Sequence, residues 1–160
     1  MRRSRVSDAV LVFLAGASLV VALAGIGAVA AQTAVRVPQI DERHIFEGGL
    51  NKQGRLVGFH HAGPHRDRLV RIVRGPNALG VYEAEFRAFG MTKRSTFFPD
   101  AWTREQVLAA IREAYLNPIE KTGGKIVGKT ASGMRIQIYL DRAGDIATAF
   151  PIYEARLVRE

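Results

Sequence analysis

The chain has 160 residues, with 23 Lys and Arg against 15 Asp and Glu and no cysteine. That length holds one domain of ordinary size, and the missing cysteines exclude a disulfide framework, a thiolate nucleophile and a zinc–thiolate site. A net charge of +8 suits a polyanionic partner such as RNA or the surface of an anionic membrane, and does not separate the two.

Arg2, Arg3 and Arg5 precede an apolar run over residues 9–31 that ends near Ala28-Val29-Ala30. A basic start, an apolar stretch and a small-x-small site are the layout of a secretory signal peptide, expected over residues 1–31. The run also approaches the roughly 20 residues needed to cross a bilayer, so an uncleaved membrane anchor is the alternative. Either way the basic end stays inside, and the domain is expected outside the cytoplasm: secreted, periplasmic, or tethered to the inner membrane. Removing residues 1–30 takes away three arginines and Asp8, which leaves 20 basic and 14 acidic residues.

Residues 32–40 read as a linker that ends at Val37-Pro38, and the folded domain is expected over residues 41–160. All four histidines lie in residues 41–65. His44 opens an apolar run with Ile45 and Phe46, a short strand or the first turn of a helix. His60 closes residues 55–60, which read as a strand. Gly48, Gly49 and Gly54 between them favour a chain reversal that brings the two histidines together. Two imidazoles facing one cavity, one accepting a proton while the other donates, make an acid–base pair.

Gly63-Pro64 ends this stretch, and residues 66–68 read as a basic loop; with Arg71 and Arg74 they form a run of arginines suited to phosphates or to a solvated surface. Residues 69–73 and 80–89 read as a hairpin, because Tyr82, Ala84, Phe86 and Ala88 alternate with Glu83, Glu85 and Arg87. Residues 104–116 are the strongest helix prediction: Thr103 and Gln106 fit a capping box, and Val107, Leu108, Ile111 and Tyr115 recur on one side. Three further strands are expected over residues 125–129, 134–140 and 145–151, giving a helix followed by an antiparallel meander and an α+β class.

Four short stretches then align in order: His44-Ile45-Phe46-Glu47-Gly48; Gly58-Phe59-His60; Lys93 with Ser95-Thr96-Phe97-Phe98-Pro99-Asp100-Ala101-Trp102; and Thr148-Ala149-Phe150-Pro151. Together they resemble the bacterial branch of the EndoU-type, or poly-U-type, endoribonucleases, relatives of the coronavirus uridylate-specific endoribonuclease. The resemblance implies a twisted antiparallel sheet with packed helices, an EndoU/barnase-like nuclease fold. It implies His44, His60 and Lys93 as the catalytic set, and Thr148 and Phe150 around the base 5′ of the cut. Tyrosine is frequent at the latter position in members that prefer uridine; Phe150 keeps the stacking face and lacks the hydroxyl.

Thr96 and His61 are candidate substrate contacts beside these. His60 and His61 point to opposite sides of an extended chain, so one of them faces the site, and the Gly-Phe-His spacing favours His60. The expected chemistry is cleavage of single-stranded RNA by its own 2′-hydroxyl, without a metal or other cofactor, leaving a 2′,3′-cyclic phosphate. Two imidazoles near pKa 6.5 supply the proton transfers and Lys93 the charge for the phosphoryl oxygens. Because many bacterial relatives are toxin modules, an antibacterial role with an immunity protein as inhibitor is a further expectation. A non-catalytic RNA- or envelope-binding domain of the same fold is the alternative.

Overall fold

The computed structural model describes residues 38–155. The apolar run read as a signal peptide or anchor lies outside them. The chain opens with helix α1 (Glu42–Phe46), two short strands β1 (Gly49–Leu50) and β2 (Leu56–Val57), and a 3-10 segment (Gly63–Arg68) where a basic loop was expected. Strands β3 (Leu69–Arg74), β4 (Tyr82–Ala88) and β5 (Met91–Phe97) follow, then helix α2 (Arg104–Leu116) and strands β6 (Pro118–Thr122), β7 (Lys125–Lys129), β8 (Arg135–Leu140) and β9 (Ile146–Pro151). The class is α+β, and the antiparallel strands are divided among three sheets, ordered β1-β2, β3-β4-β5 and β6-β7-β8-β9.

Helix α2 begins and ends where its caps dictate. The Thr103 hydroxyl accepts from the Gln106 amide at 3.3 Å, and the Gln106 side chain accepts from the Thr103 amide at 2.7 Å. Asn117 closes the last turn through its amide to the Ala114 and Glu113 carbonyls. Val107, Leu108, Ala110, Ile111 and Ala114 are buried and pack in one cluster with Ile126, Ile136 and Ile138 of the four-stranded sheet and with Ile45 and Phe46 of α1. Removing the cap as Thr103→Ala is expected to cost about 1 kcal/mol, with Gln106 left in place, read as a fall of about 5 °C in Tm.

A second cluster sits under the three-stranded sheet, where Phe59, Phe86 and Phe97 are fully buried with Leu56, Ala62, Tyr82 and Ala84. Phe59 packs 4.9 Å from Phe86 and 5.5 Å from Phe97, ring centre to ring centre. Gln39 and Ile40, counted above with the linker, run beside β9: the Ile146 amide donates to Gln39 O at 2.8 Å and the Asp41 amide to Ile146 O at 2.9 Å.

The hairpin between β4 and β5 turns at Phe89 and Gly90, with φ of +50° and +70°. Two-residue turns of this hand follow the twist of their strands and favour Asn or Gly; a phenylalanine there sits in a conformation that costs about 1 kcal/mol.

Candidate active site

The extended stretch predicted over residues 55–60 is paired only at Leu56 and Val57. Gly58 and Phe59 then both take positive φ, +73° and +63°, and this double left-handed bend changes the direction of the chain. The Phe59 amide donates to His44 O at 2.9 Å and the His60 amide to Ile45 O at 2.7 Å. The main chain before His60 is thereby bonded to the main chain of His44 and Ile45.

Glycine is required at the first position. A β-carbon on Gly58 would stand 2.2 Å from His44 O. Phe59 accepts the strain because its ring is fully buried and the Arg68 guanidinium covers it at 3.9 Å. The same guanidinium donates to Glu47 O at 2.8 Å, tying the end of α1 to the bend.

The result is an open cleft of about 470 Å³ lined by His44, Gly58, His60, Lys93, Thr148 and Phe150, among others. The His44 and His60 rings lie 6.3 Å apart. Helix α1 carries the first, the bend the second, β5 brings Lys93 and β9 brings Thr148 and Phe150. The three catalytic candidates and three of the four substrate-binding candidates therefore meet in one place.

His60 is 5% exposed and stacked on Phe150 at 5.0 Å. Its Nδ1 lies 3.1 Å from Thr96 O and 2.9 Å from Ser95 Oγ. A carbonyl only accepts, so Nδ1 carries the hydrogen and Nε2 of the neutral ring keeps its lone pair. Burial, with the Lys93 ammonium as the next cause, pulls the His60 pKa down to about 3, so the ring is neutral at pH 7. His44 is lowered less: burial depresses it while the Asp41 carboxylate, which caps α1 at the His44 amide, works against the fall.

Lys93 is half-buried, its pKa lowered by desolvation, with a 3.5 Å contact to Gly58 O and the Phe86 ring 5.9 Å away. It makes no ion pair among the described residues. Its neighbour Arg94 is bonded to Glu83, which also holds Arg74 at 3.4 Å. On β5, Lys93, Ser95 and Phe97 face inward; Arg94 lines the cleft as well, bonded to Glu83, which leaves Lys93 as the cation there without an ion pair among the described residues. The Thr148 hydroxyl is buried without a partner, a polar group with bonding capacity left over at the cleft wall.

Several expectations are corrected by position. His61, placed above among the substrate contacts, faces a different cavity, with its ring edge-on to Phe46 at 5.8 Å and beside His65, Asp100 and Trp102. Thr96 lines the cleft, and what it gives His60 is its carbonyl. The arginine run fits the solvated-surface reading: Arg66 pairs with Asp100, Arg71 with Glu85 at 2.6 Å and Arg74 with Glu83 at the surface, while Arg68 covers Phe59. Ser95, named above only within the third aligned stretch, was given no role of its own, although its alternation with Lys93 and Phe97 marks an inward strand face.

A bare imidazole nitrogen, a second imidazole and an ammonium around one cleft form a site that can take a proton, give one and neutralise charge between them, in an antiparallel α+β domain. The chain belongs to the bacterial EndoU nucleases, whose family model, Bacterial EndoU nuclease, matches residues 38–153. It is also 33% identical over 118 residues to a protein of Bacillus cereus named "Toxin", an alignment that covers 68% of this chain and 22% of that protein. The chain thus spans about a fifth of that relative's length. No solved structure matches it at a significant level.

Proposed function

We propose that this domain is an endoribonuclease that cuts single-stranded RNA through the substrate's 2′-hydroxyl, with His60 as base, His44 as acid and Lys93 as the cation beside the phosphate. The observation that carries this reading is that His60, with its Nδ1 3.1 Å from the Thr96 carbonyl, lines one cleft with His44 and Lys93. His60 Nε2 takes the 2′-hydroxyl proton as the 2′-oxygen attacks phosphorus. The bond from phosphorus to the 5′-oxygen breaks, and His44 gives that oxygen its proton. The products are a 2′,3′-cyclic phosphate and a 5′-hydroxyl, and charge that builds on the phosphoryl oxygens falls beside Lys93.

The base 5′ of the cut is placed against Thr148 and Phe150. The unpartnered Thr148 hydroxyl supports this, and Phe150 offers an edge to the base while its face holds His60. The relative named "Toxin" supports a toxic role; if the target is bacterial RNA, the producing cell needs an immunity protein against its own RNA being cut. Residues 1–31 are then the export signal, or a tether that holds the domain outside the cytoplasm.

The test is cleavage of a single-stranded oligonucleotide by purified protein with EDTA present, against a twin whose 2′-hydroxyl at the cut is replaced by hydrogen. The RNA is expected to yield the cyclic phosphate and the twin to stay intact. Cutting of the 2′-deoxy twin would overturn the mechanism, and intact RNA after incubation with folded protein would overturn the enzyme.

A further inference from the structure

We infer that the groove on the far side of His44 seats the RNA 3′ of the cut, with Phe89 as the platform on which the base of the departing nucleotide stacks. This rests on the ribonuclease reading above and adds to it a second base subsite on a different hairpin.

Phe89 is 64% exposed, the most exposed large hydrophobic side chain among the described residues, and it belongs to neither core cluster. It occupies a turn position where its own backbone is strained and where asparagine or glycine would fit better. Folding therefore does not explain the residue. Its surroundings do: Phe89 lines a groove of about 390 Å³ with Leu50, itself 47% exposed, and with Arg43, His44 and Val57.

His44 and Val57 line this groove and the catalytic cleft alike, so the two adjoin across these residues. The order of the chain of RNA follows from the chemistry. His60 meets the 2′-hydroxyl, and the base of that nucleotide lies towards Thr148 and Phe150. His44 meets the 5′-oxygen of the next nucleotide, which must leave on the His44 side, where the groove and Phe89 are. The Arg43 guanidinium stands at the same groove with only a solvent-exposed pair to Glu47 at 3.6 Å, a weak tie that leaves it able to meet the following phosphate. The one carboxylate there, Asp41, is occupied in capping α1. Stacking on an aromatic ring is tolerant of base identity, since every base has a π-face.

The experiment compares kcat/KM on oligonucleotides that share one cut site and carry either a normal or an abasic nucleotide immediately 3′ of it. The natural protein is expected to prefer the normal substrate by roughly 10- to 100-fold. Phe89→Asn, which suits the turn and is expected to raise Tm, should bring that ratio to within about twofold of unity, and Phe89→Trp should retain it. An indifferent natural protein, or a Phe89→Asn protein that keeps the full ratio, removes this inference and leaves RNA cleavage standing. A natural protein that cuts neither substrate removes the ribonuclease reading along with it.

Discussion

His60→Asn should lower kcat/KM on RNA by at least about 100-fold in a protein that still folds, and His44→Ala should do the same. The asparagine amide can still donate to the Thr96 carbonyl, so loss of activity is separated from loss of that bond. His61→Ala, in its separate cavity, should be far milder on turnover. The direction with pH follows from the two imidazoles. His60 must be unprotonated, and with its pKa at about 3 that condition holds throughout the neutral range. His44 must be protonated, and its pKa lies below the ordinary 6.5, so its acid form declines as pH rises. kcat/KM should therefore fall between pH 6 and 8, while kcat holds to higher pH because a bound phosphate favours both charged imidazoles. A kcat/KM that climbs over that interval would overturn the two-imidazole account itself, because either assignment of acid and base gives the same falling limb.

Gly58→Ala should be among the most damaging single methyl groups in the domain, and the one that strikes the site directly. The bend needs φ of +73° at this residue and leaves 2.2 Å between the new carbon and His44 O. Strain and contact together are expected to cost about 3 kcal/mol in urea unfolding. Whatever folded protein remains should turn over about 100-fold more slowly, because relief comes from moving His44 away from His60. Gly54→Ala is the control, having a similar φ of +70° and open space around it; it carries only the backbone strain, about 1 kcal/mol, and should spare kcat. Equal losses in the two variants would mean that the close approach at His44 is not what positions the pair.

Helix α2 was legible to the residue because its caps and apolar spacing are local. β4 and β8 were legible because one face of each is buried and the alternation of side chains records it. β5 was not read as a strand: Thr92, Lys93, Arg94 and Ser95 look like a loop until the inward set of Lys93, Ser95 and Phe97 is seen. β6 is exposed along its whole length and opens on a proline, which only an edge strand tolerates. The meeting of His44 with His60 was anticipated from the glycines between them, yet the bend itself is made at Gly58 and Phe59, and a phenylalanine at positive φ has no sequence signature. The arginines are on the solvated surface, one of the two readings given them, but a list of charges does not show which carboxylates stand opposite them across a sheet.

The tie between residues 39–41 and β9 bears on when the cleft comes into being. Gln39 and Asp145 are 106 positions apart and joined at 3.0 Å, and the strand that follows Asp145 supplies Thr148 and Phe150. Contacts of such long sequence separation form late, after the shorter-range hairpins and helix have reduced the loop to be closed. A nascent chain lengthens beside ribosomal RNA, and until residue 151 has emerged it has neither the wall that carries Thr148 nor the ring that packs His60. β9 follows every other element that lines the cleft, so the wall it supplies is the last part of the site to leave the ribosome.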